Sequence, residues 1–451
     1  MKQQIIILFS LFTKYLPIMK YFYYLIAGCL FLSSCTNDNP IIDEPINEEE
    51  KKDNDPNQDL LENPFKTIEL SEAEHAIANC QIDFAFDYFK ATSKRMENNN
   101  FIISPLSAYV CLSNLANGAV GETKAELISR LLEKDSSLED LNNYNKRIIA
   151  ELTTLDQTTI FELANSIWHS PSFTLESDFC NSSKEFYGTS INSVNFADSN
   201  SYEVMDNWIN NVTHGLIKNF TKPNPNLQLI ISNAIYFKGK WSQSFDVNKT
   251  TDADFKNHDG SVSKVRMMEG ERYDFIYPDE ANGKFAIAAI PYGYESFAFY
   301  VAFSIDDNDW SLNNIEDILI ANNLLKFSIN GSRYGKKFIK LPRFEVSADD
   351  QIKTDMEAIG LTNLFSDQAA LSNLTKQPIG YKSMVQNCTF KIEETGAEGA
   401  AHTQWHIVSS DLNSKPIQEE NPAFTVDRPF VFWVMDKNTN ALLFMGRINN
   451  F

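Results

Sequence analysis

The sequence predicts an α+β fold, on three observations. Helical periodicity is concentrated in the first part of the folded region. Long apolar strand patterns dominate the later part and close in a hairpin. Strands and helices do not alternate as βαβ units, which argues against a doubly wound sheet. The globular pattern runs from about Phe65 to Phe451 with no internal linker or repeat, so 65–451 is read as one domain. Hydrophobic residues make up 43% of the chain and include 33 Phe, enough to fill a large core.

In chain order, Ser71-Glu72-Ala73-Glu74 is a capping box, after which Ile77, Cys80, Phe84 and Tyr88 share one helical face. Pro105 opens a second helix through Leu112 and Leu115 to Gly118, and the hydroxyls of Ser104 and Ser107 stand where they can cap its first turn. Thr123-Lys124-Ala125-Glu126 reads as another capping box, leading into Leu127 and Leu131. "LQLIISNAIYF" is nearly all apolar and predicts a strand covered on both faces. "FAIAAIPYGYESFAFYVAFSI" predicts two strands broken at Pro291-Tyr292-Gly293. Ile352, Met356 and Ile359 form a helical stripe that stops at Gly360, a C-terminal cap. "PFVFWVMDKNTNALLFMGRI" is a hairpin turning at Asn438-Thr439-Asn440.

The N-terminus reads as a targeting segment, 1–34, with the true start at Met19 or an extended leader before it. From Met19 the run "MKYFYYLIAGCLFLSSC" has a lysine, an apolar stretch and small residues before Cys35, the pattern of a bacterial lipoprotein signal with Cys35 acylated. The alternatives are an ordinary signal peptide or an anchor helix, but the apolar part is short for a span of roughly 20 residues. Residues 35–64 are rich in Asp, Glu, Asn and Pro and read as an acidic tether holding the domain off a lipid surface. The expected location is therefore the bacterial cell envelope, facing the periplasm or outside, with membrane contact only through the lipid. A formal net charge of −21 argues against nucleic-acid binding, which needs clustered Lys and Arg. Beyond Cys29 and Cys35, the widely spaced Cys80, Cys111, Cys180 and Cys388 make neither a disulfide framework nor a CxxC motif.

Six pieces in order resemble the serpin family: "NFIISPLSAYVCLSNLANGAVGET", "LANSIWHS", "ISNAIYFKGKW", "LPRFEV", "IEETGAEGAA" and "RPFVFWVMDKNTNALLFMGRI". The resemblance covers the whole globular part. It implies three β-sheets, surrounding helices, and an exposed reactive-centre loop at about 394–428. It also implies that Ser104, Ser107 and Asn233 lie beneath the central strands of the main sheet, where those strands part, with Trp241 at the top of the opening. Gln386 stands where the family usually has histidine; glutamine both donates and accepts, so a rewired network is expected. A carboxylate–base pair at the upper end of the sheet is expected between Glu394 and Arg343, whose fork suits a carboxylate.

"EETGAEGAAHTQWHIVSSDLNSK" is the segment from which function is read. In an extended chain, Ala397, Gly399, Ala401, Thr403, Trp405, Ile407 and Ser409 share one face. Glu398, Ala400, His402, Gln404, His406 and Val408 share the other, mostly polar face. Such a strand can enter a sheet with one face inward and one face wet, pivoting from Glu394 at Gly396. By the family mechanism a protease cuts the loop, forms an acyl-enzyme and is trapped as the loop inserts. About seventeen residues at roughly 3.3 Å each span about 55 Å, enough to cross a domain-sized sheet. Counted from Glu394, this length puts the cut bond at Ser410–Asp411, with Val408, Ser409 and Leu412 as neighbouring candidates. Those residues predict elastase-like serine or papain-like cysteine proteases as partners. Trypsin-like proteases are disfavoured, because Lys415 lies too far along and precedes Pro416. A loop longer than usual for the family, and Gly399 and His402 in place of the usual alanines, are departures from the pattern.

No catalytic residue, cofactor or metal is expected, and the chain is read as a monomer. His402 and His406 have zinc-helix spacing, but the glutamate of HExxH is absent and Gly396 and Gly399 oppose a helix. The rival reading is a non-inhibitory serpin serving as a binding or scaffold module. Its usual mark is a bulky or proline-bearing hinge, and neither occurs before Trp405.

Overall fold

The computed structural model describes residues 66–218, 224–272, 274–276, 285–306, 312, 315–317, 337–380, 382–398 and 424–451. The leader, Cys35, the tether, Gly399 to Thr403, and the bond candidates Val408 to Leu412 lie outside the described residues. Eight helices are named here: α1 (Glu72–Met96), α2 (Pro105–Ala116), α3 (Gly121–Leu131), α4 (Leu138–Thr153), α5 (Ser177–Tyr187), α6 (Ser199–Val212), α7 (Lys353–Ala358) and α8 (Thr362–Phe365). The strands are β1 (Phe101–Ile103), β2 (Thr159–His169), β3 (Ser190–Ser193), β4 (Leu229–Lys240), β5 (Thr251–Lys256), β6 (Val262–Arg272), β7 (Asp274–Ile276), β8 (Phe285–Tyr292) and β9 (Phe297–Ser304). They continue as β10 (Lys337–Pro342), β11 (Phe344–Gln351), β12 (Val385–Glu393), β13 (Gly396–Ala397), β14 (Phe424–Thr425), β15 (Phe430–Asp436) and β16 (Leu442–Ile448).

These strands make three sheets among the described residues, β1-β16-β15-β9-β8-β7, β14-β10-β6-β5 and β11-β12-β13-β4-β2-β3. Strands β9, β15 and β16 are buried along their whole length, as continuous apolar runs require. The sheet containing β12 lies face to face with them. Phe390 of β12 packs against Phe432 and Phe444, each at 5.6 Å between ring centres. On the far face of β2 and β4, a separate cluster of Trp168, Phe196, Tyr202 and Met205 gathers Trp208 of α6 and Ile230. That cover explains why the β4 sequence is apolar on both sides.

Local chemistry sets the helix ends. Ser71 and Glu74 close a full capping box on α1, and Pro105 is at the first turn of α2. Gly360 has φ +99° just past α7, a left-handed C-terminal cap. Three sequence expectations need correction. The Ser104 hydroxyl does not cap α2; it donates to the Leu443 carbonyl at 2.7 Å and ties the helix start to β16. Thr123 and Glu126 form no capping box, because α3 already begins at Gly121. Thr123 turns its hydroxyl to Asn363, and Glu126 accepts from the backbone N–H groups of Asn363 and Leu364 at 2.9 and 3.0 Å. The glutamate therefore caps α8, far along the chain. Nor does the strand break at Pro291: β8 runs through Tyr292 and turns at Gly293. On the edge away from β9, Ser242 N donates to the Pro291 carbonyl at 3.0 Å and Trp241 bridges Tyr292, so proline keeps the acceptor used there and gives up only its own N–H.

Replacing Glu126→Ala removes the acceptor from those two N–H groups, so unfolding in denaturant is expected to show a loss of about 1–2 kcal/mol. An unchanged midpoint would remove the capping role.

Candidate functional site

Strand β13 is only Gly396 and Ala397, yet it is wedged between two long strands. Ala397 faces Ile392 of β12 on one side and Gly239 of β4 on the other; Gly396 faces Glu393 and Lys240. Both pairings are antiparallel, so β12 and β4 run parallel to each other. Below Ala397, β12 stays paired with β11 and β4 with β2, but among the described residues no ladder joins the facing edges of β12 and β4. The sheet is split there by a slot. Its upper part, lined by Tyr236, Phe237, Thr389, Phe390 and Ala397, encloses about 40 Å³, room for a few waters but not a strand.

The segment leading into the slot is clamped at three successive carbonyls. Trp241 Nε1 donates to Glu393 O at 2.9 Å, Phe245 N to Glu394 O at 2.8 Å, and Trp241 N to Thr395 O at 3.1 Å. The Trp241 ring lies flat on Tyr292, 4.4 Å between centres. Gly396 is required by close approach: a Cβ there would sit 2.1 Å from the Gly239 carbonyl oxygen and 2.8 Å from Lys240 Cα. Ala397 is buried and its small side chain fits opposite Ile392.

Charges surround this entry. Arg343 reaches both acids: Nη2 donates to Glu393 Oε1 at 3.0 Å, while Nη1 is 3.6 Å from Glu394. The direct hydrogen bond thus goes to Glu393, one residue before the partner expected from the sequence. Glu394 is buried and accepts from Thr250 Oγ1 at 2.8 Å. Lys391 bonds Glu393 at 2.6 Å, and its ammonium, with Arg343, holds that carboxyl below the usual range. Glu398 is the opposite case: burial pushes its pKa up, partly offset by Lys238 and Lys391.

Lower in the sheet, Gln386 is buried and closes an amide pair with Ser104. Its Oε1 accepts from Ser104 N at 2.9 Å and its Nε2 donates to Ser104 O at 2.9 Å. Tyr88 of α1 donates to the same Oε1 at 3.0 Å. This network ties β12 to the start of α2, beneath the slot. Asn233 of β4 donates to Asn165 Oδ1 at 2.9 Å, and its own Oδ1 is buried with no acceptor bond among the described residues. Ser107 is buried in the first turn of α2. The helical stripe in the sequence marks Tyr88 as core. Tyr292, Phe245 and Lys238 escape a sequence reading, and only the "KGKW" and "IPYGYE" turns beside them hint at a junction.

The site has no activated nucleophile among the described residues. Burial pushes the Cys388 thiol, on the inner face of β12, up to about 12, and Cys111 likewise. No group of three or more His, Cys, Asp and Glu among the described residues is arranged to hold a metal. What the geometry offers, among the described residues, is a strand position filled only at its first two places, by the chain's own hinge.

Comparison with known proteins agrees with this geometry. The family model described as Serpin (serine protease inhibitor) matches residues 79–451. Human Serpin I2 is 28% identical over 388 residues, covering 84% of this chain and 93% of the relative. Mouse leukocyte elastase inhibitor A is 27% identical over 379 residues, covering 81% and 97%. The crystal structure of the thermophilic serpin tengpin in its native state superposes with a TM-score of 0.72 at 25% identity, covering 86% of this chain and 97% of that one.

A Gly396→Ala substitution is expected to push the hinge out of the sheet, because neither contact is with a flexible side chain. Hydrogen exchange should show the Trp241 and Phe245 amides losing protection. An overpacking cost of about 1–3 kcal/mol is expected if the hinge stays in place instead. Unchanged protection with unchanged stability would contradict the close approach.

Proposed function

The chain belongs to the serpin family, and on that premise we propose that it is a suicide-substrate protease inhibitor whose cut loop fills the slot between β4 and β12. The observation that carries this reading is the split sheet, with Gly396 and Ala397 seated at its top and, among the described residues, no strand joining the facing edges below. Strand insertion after cleavage is the family's known behaviour. The register of β13 says what insertion would mean for this chain.

Continued at that register, Gly399 would meet Phe237 and Phe390, and Ala401 would meet Ile235 and Cys388. Glycine between two phenylalanine rings accounts for the departure from alanine there. Thr403 would come between Asn233, with its orphan Oδ1, and Gln386. Strand β4 ends at Leu229, which would stand opposite Ile407. A strand from Gly396 to Ile407 is about 40 Å long at roughly 3.3 Å per residue. The bond Ser410–Asp411 comes shortly after, so the length of β4 supports a cut in the 408–412 window.

The chemistry is the protease's own. Its serine or cysteine attacks the carbonyl carbon of Ser410, the bond to the Asp411 nitrogen breaks, and that nitrogen leaves as an amine. Ser410 remains joined to the enzyme through its carbonyl, as an ester to serine or a thioester to cysteine. As the freed strand zips down the slot, it carries the enzyme with it and deforms its active site. Deacylation needs oxyanion donors held in place, so a deformed enzyme hydrolyses that bond slowly.

Incubation with an elastase-like serine protease and a papain-like cysteine protease, followed by a denaturing gel, tests the proposal. A band of summed mass is expected, and mass spectrometry of the released peptide should begin it at Asp411. Ala397→Arg, which would force a charged side chain onto the buried face, should turn the inhibitor into a substrate. A cleaved chain with no adduct from either protease class would favour the non-inhibitory reading instead.

A further inference from the structure

We propose that Glu398 is a positioning residue for insertion: a latch held open in the intact protein and closed between Lys238 and Lys391 once the strand continues. This deepens the insertion reading and rests on it. Three observations carry it, all at described residues. Glu398 adopts φ +54°, a left-handed conformation unfavourable for a side chain with a Cβ, and β13 ends at the residue before it. Its Oε2 is buried and has no hydrogen-bond partner among the described residues. One step further along the register, its neighbours would be Lys238 on β4 and Lys391 on β12.

Both lysines are on the outer face. Phe237, Phe390 and Ile392, the residues beside them, are buried on the inner face, and side chains alternate along a strand. Beyond Lys391 in the same row is Glu345 of β11. An extended Glu398 would thus complete a row of alternating charge, Lys238, Glu398, Lys391 and Glu345, across four strands. Opposite charges facing each other across strands stabilise pairing; like charges oppose it. Without Glu398, the two lysines flank the slot with nothing between them but its entrance. Other charged or titratable groups near the position are Glu393, already bonded to Lys391, and the pair His214–Glu162 beside Tyr236.

The present conformation is therefore unfavourable twice over, in backbone and in desolvated charge, and the extended conformation relieves both. The first step of zipping past Ala397 is where that relief is delivered. Glu398 touches neither the scissile bond nor the protease; it acts by aligning the strand that does.

A double-mutant cycle on the full chain tests the latch. Glu398→Gln, Lys238→Met and their combination are unfolded by heat in guanidinium, intact and after loop cleavage. In the cleaved protein the two substitutions should be non-additive by several-fold in the unfolding equilibrium constant; in the intact protein their coupling should be distinctly weaker. Additivity in both forms, or equal coupling in both, overturns the latch. If the unsubstituted protein gains no resistance on cleavage, insertion itself fails and the latch with it; a gain with additive effects sinks the latch alone. Partition gives a second readout that loss of stability would not move. Glu398→Lys should divert several-fold more molecules to simple cleavage, and adding Lys238→Glu with Lys391→Glu should restore trapping. Failure of the reversed charges to restore it contradicts the proposal.

Discussion

The constraint on which this molecule turns is an incomplete hydrogen-bond ladder. Strands β4 and β12 run parallel with a gap between them, and among the described residues only Gly396 and Ala397 bridge it. Bare strand edges are templates for another strand. Backbone N–H and C=O groups left without protein partners must rely on water, and a strand that bonds both edges at once replaces that water along its whole length. On the proposed reading, the sequence after Ala397 supplies such a strand once it is cut. On that reading, the free-energy difference between the split sheet and the filled one drives inhibition.

Everything around the slot keeps it both open and ready. The clamp of Trp241 and Phe245 on the carbonyls of Glu393, Glu394 and Thr395 fixes the register before any cut is made. Below, Gln386 locks β12 to the start of α2 through both atoms of its amide, with Tyr88 adding a third bond. A glutamine does here what an imidazole could not do alone, since it donates and accepts toward the same backbone residue. At the entrance, charges of both signs crowd a few residues, and Glu398 has a buried carboxylate oxygen with no hydrogen-bond partner among the described residues.

Much of this is legible in the sequence, for identifiable reasons. Apolar runs such as Phe430–Asp436 and the Ser71 capping box depend on neighbours in the chain, and the structure has them where the sequence places them. The alternation that puts Ala397 inward is legible in the same way. Sequence reading fails where a side chain serves a distant segment. Ser104 gives its hydroxyl to Leu443, and Glu126 caps a helix more than two hundred positions away. Neither partner can be inferred from local spacing. Arg343 reaching Glu393 first, and the two lysines that would flank an extended Glu398, follow from sheet register, which exists only once strands pair.

Hydrogen exchange across the slot, before and after a single cut in the loop, tests the central claim most directly. In the intact protein the slot-facing amides of β4 and β12 below Ala397, those not bonded to β2 or β11, should exchange readily while the amides of the fully paired β9, β15 and β16 stay protected. After the cut, protection should spread down both slot edges as the strand fills it. If those amides exchange as fast in the cleaved chain as in the intact one, no strand has entered, and the split sheet is not the source of this protein's action.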